Sequence, residues 1–151
     1  MRVVLDTNII VSALIVMAGK PAAAVDLWLD GRFTLLTCSA QVDELRSILR
    51  KPRVAELIKP YKAGRLVNQI RRLAEEVEPA RVERSPDPTD DFLLGLSESG
   101  RADYLVTGDK SGLLALERDG ATPMVSVREG ILSPAPIRRS LFQIPPPSLS
   151  L

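Results

Sequence analysis

Carboxylates are the reactive side chains this sequence supplies in quantity, and they stand at points of punctuation. Asp6 closes the apolar run Val3-Val4-Leu5, and Asp109 follows Tyr104-Leu105-Val106-Thr107 after a single glycine. Glu44 lies inside a helical apolar pattern, and Asp87, Asp90 and Asp91 crowd into five residues. The 151 residues include no histidine and one cysteine, Cys38. Ser-His-Asp hydrolysis, Cys-His proteolysis, His-ligated zinc and imidazole bases are therefore excluded, as are internal disulfides and CxxC redox pairs. What remains is chemistry by carboxylates, hydroxyls, amides, Lys and Arg. A hard divalent cation such as Mg²⁺ takes carboxylate oxygens and water and has no need of histidine. Held by shared carboxylates, one or two such ions activate a water and steady the leaving oxygen of a phosphodiester. The Asp87–Asp91 spacing does not make an EF-hand loop, and neither GxGxxG nor GxxxxGK[ST] occurs. Taken singly, each acid also suits a turn or a helix cap, and Glu44 also suits an exposed helix face.

Elements must bring such acids together. Apolar, β-branched runs predict strands at residues 2–5, 33–38, 77–82, 104–107 and 124–127, the third weakened by Pro79. Helices are predicted at residues 8–17, 22–30, 39–49, 54–58, 61–76, 92–99 and 111–119, with a short one near 128–132. Gly31, Gly100 and Gly120 stand where helix-ending glycines belong, and Ser39 is a plausible N-cap. Alternating strands and helices predict an α/β domain with a largely parallel sheet. Sites in such sheets form beyond the carboxyl ends of strands, which puts Asp6 and Asp109 on one rim. The stripe Val42, Leu45, Ile48, Leu49 leaves Glu44 at its edge and turns Asp43 away. Trp28, among Val25, Leu27 and Leu29, reads as core, and Cys38 reads as a small buried residue rather than a nucleophile.

Composition sets the remaining bounds. Apolar residues make up 45% and charged residues 26%, as in soluble globular proteins, and net charge is +1. The charge is segregated. Residues 46–72 carry nine bases, Arg46 and Arg50 among them, against Glu56, whereas residues 73–91 carry seven acids against Arg81 and Arg84. A basic stretch before an acidic one suits a phosphate-tracking surface beside a cation-collecting site; it also suits two solvated helix faces. The apolar run at residues 9–18 is shorter than the roughly 20 residues a membrane span needs. Asp6 stands before it, where a signal peptide carries positive charge. A cytoplasmic protein without a membrane partner is expected. Few aromatics are available for stacking on bases.

The ordered set Val3-Val4-Leu5-Asp6-Thr7-Asn8, Glu44, Asp87-Pro88-Thr89-Asp90-Asp91-Phe92-Leu93 and Ala102-Asp103-Tyr104-Leu105-Val106-Thr107-Gly108-Asp109 resembles the PIN domain. The resemblance is closest to the toxin components of bacterial toxin–antitoxin systems. It covers residues 1–132, leaving 133–151 as a tail with five prolines that packs on the domain or on a partner. It implies a Rossmann-like, three-layer α/β/α sandwich on a five-stranded, mostly parallel sheet. It further implies an endoribonuclease using one or two Mg²⁺ or Mn²⁺ ions. By this resemblance Asp6, Glu44, Asp91 and Asp109 are the metal-binding and catalytic acids, with Asp90 the substitute for Asp91. Thr7, Asn8 and Thr107 line the pocket, and Lys110, Arg46 and Arg50 hold the RNA backbone. Ser97 replaces an alanine usual in the family. An antitoxin protein and a homodimer are the implied partners, with RNA the substrate. The alternative is a non-catalytic RNA- or protein-binding module of the same fold, which predicts loss of acids that are all present here. A haloacid-dehalogenase phosphatase needs an aspartate two residues after Asp6, where Asn8 stands, and a phosphoaspartate receiver needs an acidic pair before its aspartate.

Overall fold

The fold is described from a computed structural model, which covers residues 1–83, 85, 87–108 and 112–132. The proline-bearing tail, residues 133–151, lies outside them. Strands β1 (Arg2–Leu5), β2 (Thr34–Thr37), β3 (Glu75–Glu76), β4 (Tyr104–Val106), β5 (Arg118–Asp119) and β6 (Thr122–Val125) form one sheet in the order β3-β2-β1-β4-β6-β5. All pairings are parallel except β5 with β6. Parallel strands covered on both faces read as continuous apolar runs, as Val3-Val4-Leu5 and Tyr104-Leu105-Val106 do. Among the described residues the other elements are helices α1 (Thr7–Ile15), α2 (Lys20–Leu29), α3 (Ser39–Leu49), α4 (Pro52–Ala55), α5 (Pro60–Leu73) and α6 (Asp91–Ser99), 3₁₀ turns at Pro88–Asp90 and Leu113–Leu116, and a π turn at Arg128–Leu132.

Side chains alternate across the sheet and seed two cores. Val3, Leu5, Leu35, Tyr104 and Val106 face α1, α2, α3 and α5, where Trp28, Leu45, Leu66 and Ile70 are buried. Val4, Leu36, Leu105 and Met124 face α6 and the 3₁₀ turn, against Leu93, Leu94, Leu96 and Leu113. Each such fully buried side chain contributes about 1.5–3 kcal/mol of transfer free energy. The three-layer α/β/α sandwich is therefore as predicted. Trp28 is core, 5% exposed, and Cys38 is buried.

Several elements differ from expectation, each for a local reason. The sheet has six strands rather than five, because Arg118–Asp119 folds back antiparallel on Thr122–Val125. Gly120, at φ +58, makes that turn, and the predicted helix at 111–119 shrinks to the 3₁₀ turn. The third strand is Glu75–Glu76, not residues 77–82. Pro79 has no N–H for a ladder, and this segment is fastened to α6 instead, with Ala80 N–H donating to Gly95 O (3.0 Å) and Ser99 Oγ to Glu78 O (2.6 Å). The helix expected to reach residue 76 stops at Leu73. Ser39 opens α3 as its first helical residue while Cys38 takes the cap position without a side-chain hydrogen bond. Gly31, at φ +78, closes α2 as expected, whereas Gly100 has an ordinary φ of −81 and Arg101 takes the left-handed conformation at φ 52.

Arg2 ties the amino ends of the strands. Its guanidinium meets both oxygens of Glu75 (2.6 and 3.1 Å), its Nε donates to Gly100 O (2.7 Å), and its backbone N–H donates to Asp103 (2.7 Å). The Arg2 guanidinium holds the Glu75 carboxyl below the usual range. At α6 a Cβ on Gly95 would collide with the Ala80 carbonyl. Gly95→Ala is therefore expected to destabilise the domain by about 1–3 kcal/mol, the usual cost of overpacking, read as a lower midpoint in urea unfolding.

Candidate active site

The register of β1 and β4 pairs Leu5 with Val106, so the next residues, Asp6 and Thr107, emerge side by side at the carboxyl rim. The backbone N–H of Asp6 extends the ladder to Val106 O (2.8 Å), and the N–H of Thr107 does the same to Val125 O (2.9 Å). Asp6 then caps α1: its carbonyl accepts from Ile9 N–H (2.9 Å), and its Oδ1 accepts from Asn8 N–H (3.1 Å). Its Oδ2 accepts from the Thr107 hydroxyl (2.8 Å). Both residues are buried, Asp6 5% exposed and Thr107 0%. A carboxylate held by donors at a helix N-terminus is favoured by the local dipole. Among the described residues no Lys or Arg pairs with it.

Helix α3 docks on this corner through two side chains one turn apart. Gln41, 1% exposed, donates from Nε2 to Leu5 O (2.6 Å) and accepts from the Thr37 hydroxyl (2.8 Å). Glu44, half-buried at the edge of the stripe as predicted, accepts on Oε2 from the hydroxyl of buried Thr7 (2.8 Å). Asp6, Thr7, Glu44 and Thr107 are thus joined at one corner. Asn8 contributes its backbone N–H and is exposed.

The acidic cluster divides. Asp87 is exposed and spent on its own turn, accepting from Thr89 N–H (3.0 Å) and Thr89 Oγ1 (2.8 Å), bonds that hold its carboxyl below the usual range. Asp90 ends a 3₁₀ turn, Pro88–Asp90. Asp91 is half-buried at the start of α6, and its Oδ1 accepts from Ser85 N–H (2.7 Å). Because α6 feeds β4 directly, its N-terminus belongs to the rim that carries Asp6. Among the described residues no three acids approach closely enough to form a metal-binding group. Asp109 and Lys110 lie outside the described residues. Arg46 lines a polar cavity of about 280 Å³ with Asp43 and Arg71, and Arg50 caps the far end of α3.

Residues 2–111 match the family model of the PIN domain, and the chain belongs to that family. PIN domains are generally nucleases and typically use divalent metal ions, so a nuclease-type function follows. No curated protein matches the chain. Among the described residues no single helix is long and apolar enough to cross a membrane.

Gln41 and Thr37 are the positioning residues that sequence reasoning passed over. The signal was available: a glutamine on the buried face of α3, four residues after a threonine that ends β2. Gln41→Leu leaves the Leu5 carbonyl and the Thr37 hydroxyl buried without their partner, and a loss of about 1–3 kcal/mol is expected in denaturant unfolding.

Burial pushes the Cys38 thiol up. A group with a raised folded pKa contributes stability below its unfolded pKa and loses it as pH rises through the folded value. Folded protein at pH 8 should therefore resist iodoacetamide, with labelling appearing only on unfolding. Stability should decline on the alkaline side, a slope that Cys38→Ala removes.

Proposed function

We propose that this PIN domain is a metal-dependent endoribonuclease, the toxin of a type II toxin–antitoxin pair, working as a homodimer in the cytoplasm and restrained by an antitoxin protein. The observation that carries the reading is the buried Asp6 carboxylate. It is met by a hydroxyl and a backbone amide, stands one residue from the Thr7–Glu44 bond, and has no cationic side chain beside it among the described residues. Burying an ionised carboxylate costs several kcal/mol unless charge or hydrogen bonds compensate.

The donor chemistry fits Mg²⁺ or Mn²⁺, all oxygen and largely anionic. Asp6 and Glu44 are the residues assigned to hold one or two such ions, together with Asp91 (or Asp90) and, from sequence, Asp109. When bound, the cation supplies Lewis acidity that makes hydroxide available near neutral pH and offsets charge on the phosphate. The chain does the positioning. Thr107 and Asn8 N–H fix the Asp6 carboxylate in one orientation, and Thr7 fixes Oε2 of Glu44 while leaving Oε1 without a protein donor among the described residues. Attack on phosphorus in line with the leaving oxygen yields a 5′-phosphate and a 3′-hydroxyl. Lys110, Arg46 and Arg50 are assigned to the RNA backbone.

RNA cleavage by the purified chain should require Mg²⁺ or Mn²⁺ and stop in EDTA. Asp6→Asn should lose more than about 100-fold, and Thr107→Val about 10–100-fold, as for residues that orient ligands. Mn²⁺ at 100 times its Kd should also stabilise the wild-type fold by about 2.7 kcal/mol, and Asp6→Asn should abolish this. Cleavage surviving both chelation and Asp6→Asn would sink the mechanism. Metal-independent RNA binding without cleavage would point to the non-catalytic module.

A further inference from the structure

Helix α5 carries four bases, Lys62, Arg65, Arg71 and Arg72, and no acid. Its inner face is accounted for by Leu66, Val67 and Ile70, which are buried in the core. Its outer face is not. Tyr61, an aromatic ring, is 64% exposed. At about 100° per residue, Tyr61, Arg65, Asn68 and Arg72 fall within a stripe about 60° wide and about 16 Å long. Gly64 lies within the continuous helix, beside that stripe. A Cβ there would meet nothing within 4 Å, so no neighbour in the fold demands a glycine. These residues and Gln69 together form one open patch on the surface of α5. Among the described residues Arg65 and Arg72 form no ion pair, and Asp26 lines a neighbouring groove with Lys62 and Arg65.

We propose that this face of α5 binds single-stranded RNA. Tyr61 stacks on a base, Arg65 and Arg72, about 6 and about 16 Å further along the helix, hold successive stretches of the phosphate backbone, and Gly64 opens a notch that lets the nucleotide lie against the helix backbone. Asn68 and Gln69 offer amides to the base edge. Charge decides for a polyanion, and the exposed ring and side-chain amides favour a nucleic acid over an acidic peptide, which offers no flat face to stack. At roughly 3.4 Å per stacked nucleotide the stripe accommodates four to five of them. The inference rests on the nuclease reading for its choice of RNA and assigns the substrate a specific track.

The test is fluorescence anisotropy of a labelled 12-nucleotide single-stranded RNA with the full chain in EDTA, with intact RNA verified afterwards. Tyr61→Ala should weaken binding at least about fivefold, the lower end of base stacking by alanine substitution. Arg65→Ala and Arg72→Ala should each lower the salt dependence by about 0.7 in slope, one single-strand phosphate contact apiece. Gly64→Ala separates binding from folding: it should raise the melting temperature by about 2–4 °C, since alanine is the better helix former, while weakening RNA binding. Unchanged affinity and salt slope in Tyr61→Ala and in the Arg65→Ala/Arg72→Ala double variant would overturn the proposal. So would an acidic peptide that binds with the same dependence on Tyr61 and Gly64 while RNA does not. Cleavage is assayed separately with Mn²⁺. Absent cleavage with intact stripe-dependent binding defeats the nuclease reading alone; normal cleavage with stripe-independent binding defeats this inference alone.

Discussion

A carboxylate that leaves water at the end of a buried strand must find donors, and the way Asp6 finds them organises the corner around it. Its two oxygens are met from different elements, one by the first turn of α1 and one by the residue that follows β4. Those contacts exist only if β1 and β4 are in register, because a slip by one residue would bury a different side chain at each position. The apolar ladder therefore sets the polar corner, and the polar corner in turn marks where both strands end. The same residue also opens α1, so strand pairing, helix start and site geometry are one constraint rather than three.

Helix α3 is held to this corner by a different device. Its apolar stripe alone would permit small rotations or slides against the sheet. Gln41 removes that freedom by bridging the Leu5 carbonyl and the Thr37 hydroxyl inside the core, and a buried amide with a partner at both its oxygen and its nitrogen specifies one docking where apolar contacts tolerate several. Glu44, one turn further on, inherits its place from that bridge and reaches the Thr7 hydroxyl. The carboxylates at the corner are thus positioned by neutral partners, hydroxyls and amides, which leaves their negative charge unspent.

Much of this was legible from residue types. Apolar runs marked β1, β2 and β4 because parallel strands are buried on both faces, whereas the run at 124–127 overlaps β6, Thr122–Val125, by two residues only; Asp6 and Glu44 were visible as acids at a strand end and at a stripe edge. What stayed hidden was set by tertiary contacts. Glu75–Glu76 has no apolar signature, being an exposed two-residue edge strand whose partner is Leu36–Thr37. Residues 77–82 look more like a strand, yet only Val77 N–H extends the ladder, to Thr37 O, while Glu78 O and Ala80 N–H bond to α6. The crowding of Asp87, Asp90 and Asp91 suggested one shared purpose. The structure gives Asp87 to Thr89 and ties Asp91 to Ser85, because short side chains beside a turn find local backbone donors first. The Thr37–Gln41 bridge was missed for the opposite reason: neither residue type advertises chemistry.

The near-zero net charge conceals a division between the layers. Asp6 stands where β1 ends and Asp90 and Asp91 where α6 begins, and four bases stand on α5, whose inner face is buried in the core. The two regions are under different physical control. At the corner a shift of about an ångström breaks a buried hydrogen bond and leaves a polar group without a partner, so geometry there is enforced by stability itself. On the outer face of α5 Tyr61 is exposed, a Cβ on Gly64 would meet nothing within 4 Å, and among the described residues Arg65 and Arg72 form no ion pair. Gly64 even weakens the helix that carries it. A helix built for packing alone would place alanine or a long polar residue there and a charged residue at position 61. Folding energetics therefore account for the corner but not for the stripe, and the residues that folding does not explain are the ones for which a bound partner supplies a physical reason.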